Sequence, residues 1–334
     1  MDTNEIFRAF VIENDQGAHA VRFKEFTIAD LPDYEVLVEV EYSSLNYKDG
    51  LAITGKGRIA RRVPLVAGID LAGTVVESKS AAWKTGDKVI VNGWGLSETE
   101  AGAYSRFQRV KADWLIRLPD SFSTKEAMAI GTAGYTAALC VDALEDWGSI
   151  GNVDDPVLVT GAAGGVGSVA ISLLSAKGYS VTASTGRRET GDYLRYLGAS
   201  DIIDRGELTE PGKPLQNERW SGAVDSIGET TLVNVIAQMK YGAAVAACGM
   251  AGGTKLNSSV FPHILRSVAL LGIDSVMAPR SKRERAWRTL AEYLDREKLV
   301  KMMRVEPMEK LPELAEAILA GDIRGRVVIE ISKS

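Results

Sequence analysis

The chain has 334 residues, enough for two domains at about 150 residues each. Its 39 basic and 44 acidic residues leave a formal net charge of −5, with 46% hydrophobic and 25% charged residues. That balance argues against a nucleic-acid or membrane-surface partner. The two cysteines, Cys140 and Cys248, are far apart in the sequence and each lies among Ala and Gly, which predicts no disulfide framework and a reducing, cytoplasmic setting. Met1 to Phe10 lacks a basic segment followed by an apolar run, so no signal peptide is expected. No run of about 18 uninterrupted apolar residues marks a transmembrane helix.

The first 125 or so residues predict short strands and turns. In Glu35 to Tyr42, Val36, Val38, Val40 and Tyr42 fall on one side and Glu39 and Glu41 on the other, the period of a half-buried strand. Gly68 to Ser78 is a second strand, and Gly86-Asp87 turns the chain into Lys88 to Val91. Such spacing predicts a β-rich, barrel-like domain. Thr124 to Leu144 then predicts a helix, with Ser123 or Thr124 as N-cap. Strands and helices alternate after it. Val157 to Thr160 is a continuous apolar strand, Gly164 to Lys177 a helix with one apolar stripe, and Ser180 to Ser184 a strand. Arg188 to Leu197 follows as a helix. Further strands are expected at Asp201 to Ile203, Ala223 to Asp225, Ala243 to Cys248 and Ser267 to Ile273. Alternation of this kind predicts a parallel sheet of the α/β class. Lys282 to Arg296 and Glu309 to Ala320 predict helices. Arg326 to Ile331 predicts a last strand that returns to the first domain.

Strand, glycine-rich turn and helix occur in that order around Gly161-Ala162-Ala163-Gly164-Gly165-Val166-Gly167. Small residues let the backbone approach a pyrophosphate, and the free N–H groups of the helix start favour its charge. Gly167 permits close helix–strand packing. Sites that prefer NAD place an acid about 20 residues further on, for the ribose 2′-hydroxyl. Here that place reads Ser184-Thr185-Gly186-Arg187-Arg188, and Arg205 follows the next strand. Hydroxyls and guanidinium groups suit a 2′-phosphate, so NADPH is the expected cofactor.

Several segments together resemble the medium-chain dehydrogenase/reductase superfamily, within it the acrylyl-CoA reductase group of quinone-oxidoreductase-like proteins. They are Ser44-Leu45-Asn46-Tyr47-Lys48-Asp49, Gly68 to Val75, Gly86 to Val89, the glycine turn, Cys248-Gly249 and Leu271 to Ser275. The resemblance implies a GroES-like β-rich catalytic domain from residues 1–125 and 300–334. A Rossmann doubly wound parallel-sheet domain, residues 126–299, would be inserted in it, with the cofactor in the cleft between the two. It also implies a homodimer that pairs strands near Leu270 to Asp274.

Catalytic zinc needs Cys, His or carboxylate ligands. This chain has two His, His19 and His263, and no Cys before Cys140. Where zinc-dependent relatives have a ligand Cys it runs Asn46-Tyr47, and where they have Gly-His-Glu it has Gly68-Ile69-Asp70. No metal site is expected, so the substrate must arrive already activated. A CoA thioester of an α,β-unsaturated acid meets that need: hydride adds at Cβ and a proton at Cα. By resemblance Tyr47 lies at the nicotinamide end of the cofactor, with Asn46 and Asp49 in the same loop and Asp49 orienting it. Ala163, Gly164, Gly165, Val166, Gly167, Ser184, Thr185, Gly186, Arg187 and Arg205 are expected to contact the cofactor, and by position Met250, Ile264 and Ser275. Lys56, Arg58, Arg61 and Arg62 form a basic run that CoA phosphates could use, or a solvated loop. The alternative activity is an NADPH-dependent quinone, alkenal or enone reductase. A cofactor-binding protein without catalysis is the non-enzyme alternative.

Overall fold

The computed structural model describes residues 5–151 and 155–331. The first four residues of the stretch read for a signal peptide lie outside them. The chain divides into two compact units. One gathers Met1–Thr132, Ser275–Glu284 and Met302–Ser334; the other gathers Ala133–Asp274 and Arg285–Lys301.

The first unit begins with β1 (Phe7–Asp15), β2 (Ala18–Phe26), β3 (Val36–Leu45), α1 (Tyr47–Thr54), β4 (Leu65–Val66), β5 (Asp70–Ser78), β6 (Lys88–Asn92), β7 (Phe107–Val110) and β8 (Ile116–Arg117). The alternation at 35–42 predicts a strand with one buried face, but β3 is longer and buried on both. Val36, Val38 and Val40 enter one apolar cluster, while Leu37 packs with Phe7, Ile28, Leu31 and Phe107 in another. Glu39 and Glu41 find partners instead of water: Arg106 pairs with Glu39, and Lys88 and Thr74 with Glu41.

A long helix, α2 (Thr124–Trp147), leads out of this unit. It departs from helical geometry at Gly131 (φ 53°, ψ −162°), a conformation open to glycine. By length and composition α2 could cross a membrane, yet 83% of its most apolar window is buried in protein. That makes it a core helix of this fold.

The second unit follows: β9 (Val157–Val159), α3 (Gly165–Ala176), β10 (Val181–Thr185), α4 (Gly191–Leu197), β11 (Asp201–Asp204), β12 (Trp220–Asp225), α5 (Glu229–Ala237), β13 (Met239–Ala247), α6 (Phe261–Arg266) and β14 (Ala269–Gly272). The six strands form a parallel sheet in the order β11-β10-β9-β12-β13-β14. The chain order doubles back at β9, as in a doubly wound fold.

The tail contains α7 (Arg280–Tyr293), α8 (Arg296–Met302), β15 (Met303–Pro307), α9 (Leu311–Ala320) and β16 (Arg326–Glu330). The single helix expected over 282–296 ends at Tyr293, because the Asp295 carboxylate accepts from Glu297 and Lys298 N–H and caps a new helix. β16 pairs antiparallel with β3, which returns the chain to the first sheet, ordered β15-β16-β3-β5-β6-β8 with β7 also on β3.

Candidate active site

In the first unit, β3 ends at Leu45 and α1 starts at Tyr47, with Asn46 as N-cap and its backbone N–H held by the Asp49 side chain three residues on. Asp49 Oδ2 accepts from Asn46 N–H at 2.9 Å and from Asn46 Nδ2 at 3.1 Å, while Oδ1 accepts from Ile69 N–H at 3.1 Å. Asp49 is fully buried. Burial, then the neighbouring Asp70 charge, pushes its carboxyl up to about 7.

Asp70, at the start of β5, collects donors from four residues. Asn46 Nδ2 donates to Oδ2 at 2.8 Å, Ser44 Oγ at 2.5 Å and Thr132 N–H at 2.9 Å, while Oδ1 accepts from Asn92 Nδ2 at 2.8 Å and from the Thr132 hydroxyl. Tyr104 donates its phenol to Ser44 O at 3.0 Å. Burial, followed by the charges of Asp49 and Asp70, holds that phenol well above its usual range. From β16, Arg326 enters the same interior and donates through Nε to Ala129 O at 2.8 Å. A Cβ on Gly131 would stand 2.5 Å from Arg326 Nη2, 2.6 Å from Ser44 Oγ and 3.0 Å from Asp70 Oδ2. The bend in α2 thus leaves room for this cluster.

Tyr47 follows the cap and is 39% exposed. With Leu51, Lys56, Glu316, Leu319 and Ala320 it lines a cleft of about 340 Å³ between α1 and α9. Of the basic run that CoA phosphates could use, or that could be a solvated loop, three residues have acid partners. Lys56 pairs with Glu316 at 2.5 Å, Arg61 with Glu98 at 3.9 Å and Arg62 with Glu100 at 4.0 Å. The acids lie far away in sequence, so the run alone gave no sign of them.

In the second unit, Gly161 takes φ 58° at the exit of β9, and Gly164 precedes the first turn of α3. A Cβ on Gly167 would meet Gly161 O at 2.5 Å and Ala162 Cα at 2.6 Å. The helix therefore packs against the turn as closely as backbone allows, with Ala163 buried and Gly164, Gly165 and Val166 half-buried at the helix start. Beneath the turn, Thr160 Oγ1 donates to Asp225 Oδ1 at 2.7 Å, and Gly228 N–H to Asp225 Oδ2 at 2.8 Å. Periodicity gives no sign of this link: Asp225 closes an apolar strand, and its partners are 65 and 3 residues away.

β10 ends in buried Ser184 and Thr185 beside β11, in register Thr185 to Asp204. Thr185 Oγ1 accepts from Arg187 N–H at 3.1 Å. Gly186 leaves room for Arg205: a Cβ there would lie 2.7 Å from the guanidinium carbon. Ser184, Thr185, Gly186, Arg187 and Arg205 thus gather where two parallel strands end. Arg188 turns outward to Asp204 at 3.6 Å.

The other expected cofactor residues are dispersed. Met250 and Ile264 belong to the second unit and are 65% and 69% exposed. Ser275 belongs to the first, where its carbonyl accepts from Arg283 at 3.2 Å. The cysteines, far apart in sequence, are neighbours in space. Both are free thiols, and the hydrogen bond to Cys248, followed by burial, pushes Cys140 well up.

A family described as alcohol dehydrogenase GroES-like domain matches residues 32–120, and one described as zinc-binding dehydrogenase matches residues 165–292. The residues do not fit the metal in the second description. Among the described residues no three His, Cys, Asp or Glu side chains gather as a metal site, and the oxygens of Asp49 and Asp70 accept from N–H and O–H donors. The acrylyl-CoA reductase AcuI of Ruegeria pomeroyi is 50% identical over 98% of this chain and 100% of its own length. The structure of Escherichia coli YhdH with bound NADPH is 44% identical, with a TM-score of 0.94 over 97% of this chain and all of that one. Bacillus subtilis yhfP with NAD bound is 42% identical, with a TM-score of 0.93 over 98% of this chain and all of that one.

Proposed function

The chain belongs to the medium-chain dehydrogenase/reductase superfamily, in its quinone-oxidoreductase-like acrylyl-CoA reductase family, and we propose that it reduces the C=C bond of acrylyl-CoA or a similar short 2-enoyl-CoA with NADPH. The observation that carries this reading is 50% identity with an acrylyl-CoA reductase over 98% of this chain and all of that one.

When bound, NADPH supplies the hydride that adds at Cβ of the conjugated thioester. The protein's own residues bind and orient. The half-buried helix start at Gly164, Gly165 and Val166, with Ala163 and Gly167, takes the pyrophosphate. Ser184, Thr185, Gly186, Arg187 and Arg205 read the 2′-phosphate, where an acid would repel it. Met250, Ile264 and Ser275 complete the cofactor contacts. Tyr47, aimed by Asn46 and Asp49, faces the nicotinamide end, and the cleft beside it takes the acyl group. Protonation at Cα completes the reduction. No step passes through a metal.

Relative kcat/KM for acrylyl-CoA, a simple enone and a quinone tests the substrate. A higher value for the quinone or enone overturns the CoA reading. NADPH and NADH compared on the same substrate test the cofactor, since a 42% identical structure holds NAD.

A homodimer in the cytoplasm completes the reading. β14 is an outer strand of its sheet with half-exposed residues, which supports pairing with a second copy. Two free thiols suit a reducing compartment.

A further inference from the structure

Two buried carboxylates share one amide. Asn46 Nδ2 lies 2.8 Å from Asp70 Oδ2 and 3.1 Å from Asp49 Oδ2, so the two acids are within about 6 Å of each other. The amide's two hydrogens face three acceptors, the two carboxylates and Ser44 Oγ at 3.1 Å, and a flipped amide would set its oxygen against both acids. Its orientation is therefore fixed by the pair.

The charged and titratable groups that face Asp49 come from three other segments: Asp70 on β5, Tyr104 from the loop before β7, and Arg326 on β16. Lys48, next to Tyr47 on α1, is turned to Glu98. One guanidinium faces two carboxylates in a site sealed from water, and one negative charge remains uncompensated. A single proton removes it. Asp70 is surrounded by donors from Ser44, Asn92 and Thr132 as well as Asn46. Asp49 takes the proton, since burial and Asp70 push its carboxyl up to about 7.

The proton cannot be added without loss. Asp49 Oδ2 accepts two N–H groups and Oδ1 accepts a third. A carboxylic acid is a donor at one oxygen and a weaker acceptor there, so a proton on Oδ2 weakens the two bonds from Asn46. Two of the three come from Asn46, the residue that caps α1.

We propose that Asp49 is a positioning residue with a proton-dependent hold on Tyr47: as a carboxylate it closes the cap of α1 and fixes the helix end that carries Tyr47, and when protonated it releases that cap. This rests on Tyr47 standing in the active site of the reductase proposed above.

The test is kcat against pH for the NADPH-loaded enzyme with acrylyl-CoA, for the wild type, Asp49→Asn and Tyr47→Phe, beside carboxyl-carbon NMR of aspartate-labelled protein. Wild-type kcat is expected to fall about tenfold per pH unit below a midpoint near neutrality. KM for NADPH should change about twofold or less across it. Tyr47→Phe keeps the midpoint at lower kcat; Asp49→Asn loses the acid limb. An aspartate carboxyl should titrate between about pH 6 and 8 in the wild type and be missing in Asp49→Asn. An acid limb that survives Asp49→Asn overturns the proposal. So does the lack of any aspartate titrating in that window, which is read on the wild type even where the variant does not fold. The titration needs no turnover, so it tests Asp49 separately from the enoyl-CoA reading.

Discussion

Thr160 donates its hydroxyl to Asp225 at 2.7 Å, tying the residue before the glycine turn to the end of the adjacent strand β12. The same carboxylate takes Gly228 N–H, so one buried acid holds two loops at the ends of neighbouring strands. Asp225→Asn keeps the shape and turns one acceptor into a donor. KM for NADPH is expected to rise about tenfold, the worth of one hydrogen bond to a charged group, with kcat within about twofold. Steady-state kinetics at saturating acyl substrate checks this, and an unchanged KM would remove Asp225 from the cofactor site.

Arg187 and Arg205 are predicted to discriminate between the two nicotinamide cofactors. Arg187→Ala and Arg205→Ala should each raise KM for NADPH about tenfold or more and leave KM for NADH within about twofold. Equal effects on both cofactors would refute a 2′-phosphate contact. Gly186→Ala should resemble Arg205→Ala, because its methyl occupies the space the guanidinium crosses.

Much of this was readable in the sequence. The glycine turn, the missing acid after β10 and the Arg187 position all follow from short-range spacing around one strand–turn–helix unit. The cap of α1 was half readable: Asp49 three residues after Asn46 is a cap pattern. What the cap leans on was not. Asp70, Asn92, Thr132 and Arg326 come from four segments, and pairing of β16 with β3 brings Arg326 in from 281 residues beyond Leu45. Periodicity sees one element at a time. It therefore gave β3 a polar face, where Arg106 and Lys88 in fact pair with Glu39 and Glu41, and it gave no hint that Cys140 and Cys248 adjoin.

Gly131→Ala should be strongly destabilising. The residue has positive φ, and the added methyl would stand 2.5 Å from Arg326 Nη2 and 2.6 Å from Ser44 Oγ. Strain and overpacking together predict a loss of about 3 kcal/mol or more. Denaturant unfolding of the two proteins measures it, and a loss below about 1 kcal/mol would mean that the cluster yields easily.

Asp49 also sets a dependence of stability on pH. In the unfolded chain an aspartate ionises at about 3.9; in the folded chain Asp49 does so at about 7. Between those values the folded state holds a proton that the unfolded state has released. Stability from this group is therefore present at low pH and lost as pH rises towards about 7. Asp49→Asn carries no such proton. Its Tm relative to wild type should rise from about pH 4 to about pH 7 and level off above that. A difference that stays constant across the window would place the folded-state ionisation elsewhere.

The return of β16 to β3 has a consequence for synthesis. Asp49 and Asp70 leave the ribosome early, and Arg326 emerges 281 residues after the carbonyl of Leu45 to which it donates. At about 5–20 residues per second, roughly 15 to 60 s pass between them. For that interval the nascent chain carries both acids without the guanidinium that faces them, and the strand that would cover β3 does not yet exist. The parallel-sheet unit has all six of its strands by Gly272 and its last segment by Lys301, before Arg326 emerges. The first unit is thus completed only when its last strand, β16, has been made.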